Sequence, residues 1–159
     1  MAVTSDEVRA VLDRDEPDYE QAAASLGPDA LPALQRFVEG GDPNLASKAA
    51  YLAGRIGDAR AAPILELAAG SPDPAVRAAA AAGAQHLGTE AEAVLVTLVD
   101  DDDPAVRKTA LKAVPARPSE NLMAKLRVLR EVEPEPMVRE IAATTFERVS
   151  REQTSGSSG

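Results

Sequence analysis

The sequence predicts an all-α protein, an α-solenoid of stacked antiparallel helix pairs: about four repeats behind an N-terminal helical cap. Three observations predict it. The pentapeptide DPAVR occurs twice unchanged, at residues 73–77 and 103–107, and related segments begin at Asp42-Pro43 and Glu135-Pro136. The four prolines, Pro43, Pro74, Pro104 and Pro136, are 31, 30 and 32 residues apart, the self-similarity that marks a repeat array. About a fifth of the chain is alanine, the best helix former, while aromatics are only 3%.

The pentapeptide reads as a helix start. Asp42, Asp73 and Asp103 can each cap a helix by accepting a backbone N–H. Proline at the first helical position gives up no internal bond and already has a helical φ. From each proline an apolar stripe recurs at two, six, nine, ten and thirteen residues, one face of a helix. It gives Leu45, Ala49, Leu52, Ala53 and Ile56, then Val76, Ala80, Gly83, Ala84 and Leu87. The third copy gives Val106, Ala110, Ala113 and Val114 and breaks at Arg117; the fourth gives Val138, Ala142, Thr145, Phe146 and Val149. Gly57 and Gly88 are expected to end two of these helices. A shorter apolar segment precedes each of them, around Leu31–Val38, Ala62–Ala69, Ala93–Val99 and Leu122–Leu129. Each unit is therefore helix, turn, helix, and buries its apolar face only by stacking on its neighbours.

The expected divisions are an N-terminal cap at 1–28, repeats at 29–57, 58–88, 89–117 and 118–151, and a tail at 152–159. Residues 5–27 read as a degenerate helix pair ending in Leu26-Gly27, with the polar outer face that a solenoid end needs. The tail TSGSSG reads as a flexible linker or cloning scar.

These segments resemble HEAT repeats, in particular the short bacterial HEAT-like class first named from phycobilisome lyases. The resemblance rests on the DPxVR motif, the alanine-rich second helix, the closing Ile-Gly-Asp or Leu-Gly, and Pro32 and Pro63 in the first helices. It covers about residues 29–151. It implies a hydrogen-bonded ladder of Asp and Arg between repeats, with Arg77, Arg107 and Arg139 as the matching arginines. The first repeat departs, with Ala46 at the arginine position. The third departs at its end, where Ala116-Arg117-Pro118-Ser119 replaces the closing motif, so the ladder is expected to break there and the third and fourth repeats to meet at an unusual angle. The Ala-, Arg-, Asp- and Pro-rich composition also resembles that of proteins from high-GC bacteria.

Composition narrows the chemistry. There is no cysteine, hence no disulfide, thiolate metal site or cysteine nucleophile. His86 is the only histidine, so a two-histidine metal site is impossible. Asp100-Asp101-Asp102-Asp103 lacks the spacing and distal glutamate of a calcium loop and reads as a turn with Asp103 as N-cap. No catalytic, cofactor or metal residue is expected. The net charge of −9 argues against nucleic acid and anionic membrane. Ten acids and three bases lie in residues 1–42, so most of the excess is N-terminal. No stretch is apolar enough to span a bilayer and the N-terminus has no basic or apolar run, which points to the cytoplasm.

The expectation for function is a non-catalytic scaffold or adaptor, with the second helices lining a concave face. Opposite the buried stripe stand Ser47, Tyr51, Gly54 and Arg55, then Ala78, Ala82, Gln85 and His86, then Lys108 and Lys112, then Glu140, Thr144, Glu147 and Arg148. Lys48, Tyr51, Arg55, His86, Lys108, Lys112 and Arg148 are therefore the candidate contacts for an acidic or amphipathic segment of another protein, with the chain itself a monomer or weak homodimer. Two alternatives are a subunit of a bilin-lyase-like enzyme, implied by the resemblance alone, and a nucleic-acid binder, which the absence of tryptophan and the acidic charge disfavour.

Overall fold

The computed structural model describes residues 2–157. Among them lie ten α-helices: α1 Ser5–Leu12, α2 Tyr19–Leu26, α3 Leu31–Glu39, α4 Pro43–Ile56, α5 Ala62–Ala69, α6 Pro74–Ala84, α7 Glu92–Leu98, α8 Pro104–Lys112, α9 Glu120–Val132 and α10 Pro136–Ser155. Short 3-10 turns at Pro28–Ala30, Ala59–Ala61 and Gly88–Ala91 lead into α3, α5 and α7. Helices α1, α3, α5, α7 and α9 form one layer, each against the next; α2, α4, α6, α8 and α10 form the other. This is the α-solenoid that the repeat predicts.

The local chemistry follows the sequence reading closely. Asp42 accepts from Asn44 N and Leu45 N, Asp73 from Ala75 N, and Asp103 from Ala105 N and Val106 N, each with proline at the start of its helix. The fourth copy differs: Glu135 makes no side-chain cap, and its own N–H instead donates to Glu133 Oε1. The core lies between the layers. Leu34, Leu52, Leu65, Leu95, Leu98, Leu111, Leu122 and Leu126 are fully buried, packed against the alanines of the second helices.

Three details depart from expectation. Gly57 ends α4 in the left-handed conformation, with φ 75°, but α6 stops earlier, at Ala84. Gly88 has a positive φ in the 3-10 turn beyond it. Gly54, expected on the exposed inner row, is buried, because α4 and α6 cross there with backbones in contact. A Cβ on Gly54 would lie 2.4 Å from Gly83 Cα. The last helix runs to Ser155, past the boundary expected at residue 151, because no breaker precedes Gly156; Ser158 and Gly159 lie outside the described residues.

The ladder is present, and its acids are not the capping aspartates. Arg77 binds Asp101 with both prongs, at 2.8 and 3.0 Å, and holds Ser71 O and Pro72 O with Nη1. Arg107 repeats this on Glu133, at 2.9 and 2.7 Å, and on Asp101 O and Asp102 O. The expected break between the third and fourth repeats is therefore not found. The irregular residues 115–119 are accommodated because buried Glu92 accepts from Ser119 N at 2.7 Å. The rung is missing earlier, between α4 and α6, where Ala46 faces no acid and Ser71 stands at the acid's position.

Candidate interaction surface

Three rings line up across the second-helix layer. Tyr51, midway along α4, meets Tyr19 of α2 edge-on, with centroids 4.8 Å apart and planes at 87°. On its other side it meets His86, just past α6, at 6.0 Å and 80°. Such edge-to-face contacts are the preferred geometry for rings. Both tyrosines are half-buried and His86 is exposed. The α4–α6 crossing at Gly54 and Gly83 sets the spacing. With no side chain between the helices there, a ring on α4 can reach one at the end of α6.

The electrostatics keep Tyr19 and His86 uncharged. Burial, with a smaller contribution from Tyr51, raises the Tyr19 phenol above its ordinary value. Burial, and then the charge of Arg55, holds the His86 imidazole below its ordinary 6.5. At neutral pH Tyr19 is therefore a phenol and His86 a neutral imidazole, with the Arg55 guanidinium beside the row. Arg55 makes no hydrogen bond or ion pair among the described residues and is free to meet an acceptor.

The other candidate residues divide into two groups. Lys108 and Lys112 are exposed on α8, with no hydrogen bond or ion pair among the described residues. Lys48 and Arg148 are committed to the scaffold. Lys48 Nζ donates to Leu12 O at 3.0 Å and Arg14 O at 2.7 Å, closing the C-terminal end of α1. Arg148 Nη2 donates to Val114 O at 2.9 Å beyond the end of α8. Free carbonyls at helix ends attract cations, which accounts for both. Arg77 and Arg107 belong to the ladder, while Arg139 holds Glu133 O at 2.8 Å.

Tyr19 is the residue that repeat arithmetic missed. It begins α2, inside the cap, where no proline anchors the count; its only signal was being one of two tyrosines in the chain. The acidic run has a structural explanation: Asp100 pairs with Lys125, Asp101 with Arg77, and Asp103 caps α8. Surface depressions lie elsewhere, one at Leu31, Pro32, Arg60 and Ile64 and another at Arg36, Phe37 and Leu45; neither includes Tyr51 or His86. No helix among the described residues is long and apolar enough to cross a membrane.

Comparison with curated proteins gives no match. The family description "HEAT repeats" matches the chain twice, over residues 5–81 and 61–147, so that the two matches together run from the cap to the middle of α10. The paired helices, the proline-anchored second helices and the two-layer stack agree with it, and the chain belongs to the HEAT-repeat family.

Proposed function

We propose that the chain is a non-catalytic scaffold that holds a protein partner on the outer face of its second-helix layer, the concave side of the solenoid. HEAT repeats generally mediate protein–protein interaction, and that is the coarse function. The observation that carries the finer reading is the row Tyr19–Tyr51–His86. Both tyrosines of a chain with only four aromatic residues meet at one place, partly exposed, beside an unpaired arginine. Rings of this kind are the usual anchors of protein interfaces. Arg55, Lys108 and Lys112 supply positive charge on an otherwise acidic molecule, which fits an acidic or amphipathic helical segment. The half-buried Ala78, Ala79 and Ala82 between them let a partner backbone come close. The proposed setting is the cytoplasm.

The test is an affinity pull-down from native lysate with quantitative mass spectrometry. It compares the wild type with a Tyr51→Ala, Arg55→Glu, Lys112→Glu variant whose fold is checked by circular dichroism. A partner kept by the wild type and lost by the variant is the expected result. A partner retained equally by both would move the site off this face and end the proposal.

A further inference from the structure

The arginine ladder has unmatched halves at its two ends. Its arginine stands four residues after each second-helix N-cap, and its acid two residues before the next N-cap. By that count the junction of α2 with α4 has Ala22 and Gly40, and that of α4 with α6 has Ala46 and Ser71. The junction of α6 with α8 has Arg77 and Asp101, and that of α8 with α10 has Arg107 and Glu133. Every junction has both halves or neither. Two halves remain. Arg139 donates to the Glu133 carbonyl of its own turn and its charge acts on the Glu133 carboxylate that Arg107 already holds, but it makes no ion pair of its own among the described residues. Glu16, two residues before the Asp18 cap of α2, is exposed and has no partner among them.

The apolar pattern breaks at the same end as the unmatched arginine. Val132 and Met137, on either side of the α9–α10 turn, are 63% and 73% exposed. Counted from the proline, earlier repeats have Glu39, Gly70 and Asp100 at the first position and Asn44, Ala75 and Ala105 at the second. Val128 adds a third exposed aliphatic side chain on α9. Arg130 stacks over Phe146 at 4.1 Å, and its buried Nε has no hydrogen-bond partner. Arg130 also pairs with Glu131 at 3.6 Å, and Glu131, Glu135 and Glu140 are exposed on the same turn and helices, so the face is apolar, with the unmatched Arg139 among charges of both signs. The α1–α2 hairpin at the opposite end is acidic, with seven acids and two arginines in residues 5–26.

We propose that the C-terminal face docks the α1–α2 hairpin of a second copy of this chain, so that Arg139 of one copy pairs with Glu16 of the next and the stack continues from molecule to molecule. The contact is the repeat-to-repeat junction of the fold itself, made between chains. It is head-to-tail, and so builds open chains or rings rather than a closed symmetric dimer. The hairpin offers only small apolar groups outward, Ala10 and Ala24, so the association is weak, with a dissociation constant on the order of 10–100 µM. The hairpin also carries Tyr19 of the ring row, but the pairing rests on Arg139 and Glu16 and not on the rings.

Sedimentation equilibrium of the 159-residue chain, from about 10 µM to about 1 mM, tests it; the pairing is charge-assisted and salt-sensitive. The wild type should gain mass with concentration. Arg139→Glu and Glu16→Arg should each weaken association about tenfold or more. Mixed one to one, the two variants should recover it, because every junction is again one acid against one arginine. Since Arg139 also holds Glu133 O, Met137→Glu is a second probe that leaves that bond alone, and it too should weaken association. A wild type that stays monomeric at every concentration overturns the proposal. So does loss with Arg139→Glu but not with Glu16→Arg, which means two C-terminal faces meet. A mixture that fails to recover also overturns it, given native circular dichroism for both variants.

Discussion

Adding one methyl group at Gly54 should cost more than adding it at Gly83, although the two glycines face each other. At Gly54 the new Cβ would lie 2.4 Å from both Cα and O of Gly83 and 2.6 Å from its C, all backbone atoms that no rotamer change can move. At Gly83 it would lie 3.1 Å from Ala50 O and 3.2 Å from Leu65 Cδ2, a gap that a shift of a few tenths of an ångström relieves. Carbon atoms pack at about 3.5–4.0 Å, so Gly54→Ala must push α4 and α6 apart by about 1 Å. Overpacking of that kind costs about 1–3 kcal/mol or more, offset by about 0.5–1 kcal/mol from replacing a helical glycine. The expected net loss is about 2 kcal/mol for Gly54→Ala and close to zero for Gly83→Ala. In a domain of this size the first lowers the melting temperature by about 4–8 °C. Thermal and urea unfolding followed by circular dichroism measure both. Because the same crossing sets the Tyr51–His86 contact, Gly54→Ala should also change the His86 ring shifts in NMR. A Gly54→Ala protein as stable as the wild type would refute the backbone-contact argument.

The ladder and the ring row give three further predictions. Arg107→Met strands the Glu133 carboxylate, only 1% exposed, and should destabilise by about 3 kcal/mol in urea titration, with Arg107→Met/Glu133→Leu recovering part of the loss. Acid should release the ladder. Burial alone would raise the Asp101 and Glu133 carboxyls, but hydrogen bonds from Arg77 and Arg107 and from the Asp103 and Glu135 N–H groups, with the nearby arginine charges, outweigh it and leave both below their ordinary values. Folded values below unfolded ones mean stabilisation that is complete above the unfolded 3.8 and 4.5 and is lost as pH falls through the folded values, so hydrogen exchange below pH 4 should lose protection in α8–α10 before α4–α6. At the ring row, Arg55→Ala should raise the His86 midpoint in an NMR titration without bringing it to 6.5, because burial is the larger cause and stays.

What the sequence made legible was whatever repeats. Caps, prolines and the buried stripe recur at fixed offsets, so one copy checks another, and Val76, Ala80, Val106 and Ala110 are buried where the period puts them. The inner surface was less legible because it does not repeat. A helical count cannot tell that Gly54 is absorbed by a backbone crossing, since that depends on a glycine 29 positions away on another helix. Nor can it tell a free lysine from one folded back on carbonyls: Lys48 and Lys112 look alike on a helical wheel, yet the end of α1 lies under the first and nothing among the described residues meets the second. Tyr19 was hidden because the cap has lost the proline that sets the register. The ladder's acids, Asp101 and Glu133, stand two residues before the Asp103 and Glu135 caps and outside the repeated motif, so the motif alone does not mark them.

The junctions are alike in helix order and unlike in what holds them, and this bears on how the surface stays in place. Where α4 meets α6, no charged rung exists and the backbones touch; contact at that distance leaves little freedom to slide, since any shift meets Gly83 main-chain atoms. Where α6 meets α8 and α8 meets α10, a bidentate arginine spans each gap, and its direction as well as its energy fixes the register. The ring row sits over the first kind of junction, Lys108 and Lys112 over the second. A partner that touches both therefore meets a rigid aromatic patch joined to cations whose spacing from it depends on the Arg77–Asp101 rung. Breaking that rung while leaving every proposed contact residue unchanged should weaken binding through geometry alone, and Asp101→Asn is the substitution that separates a positioned surface from a mere collection of exposed charges.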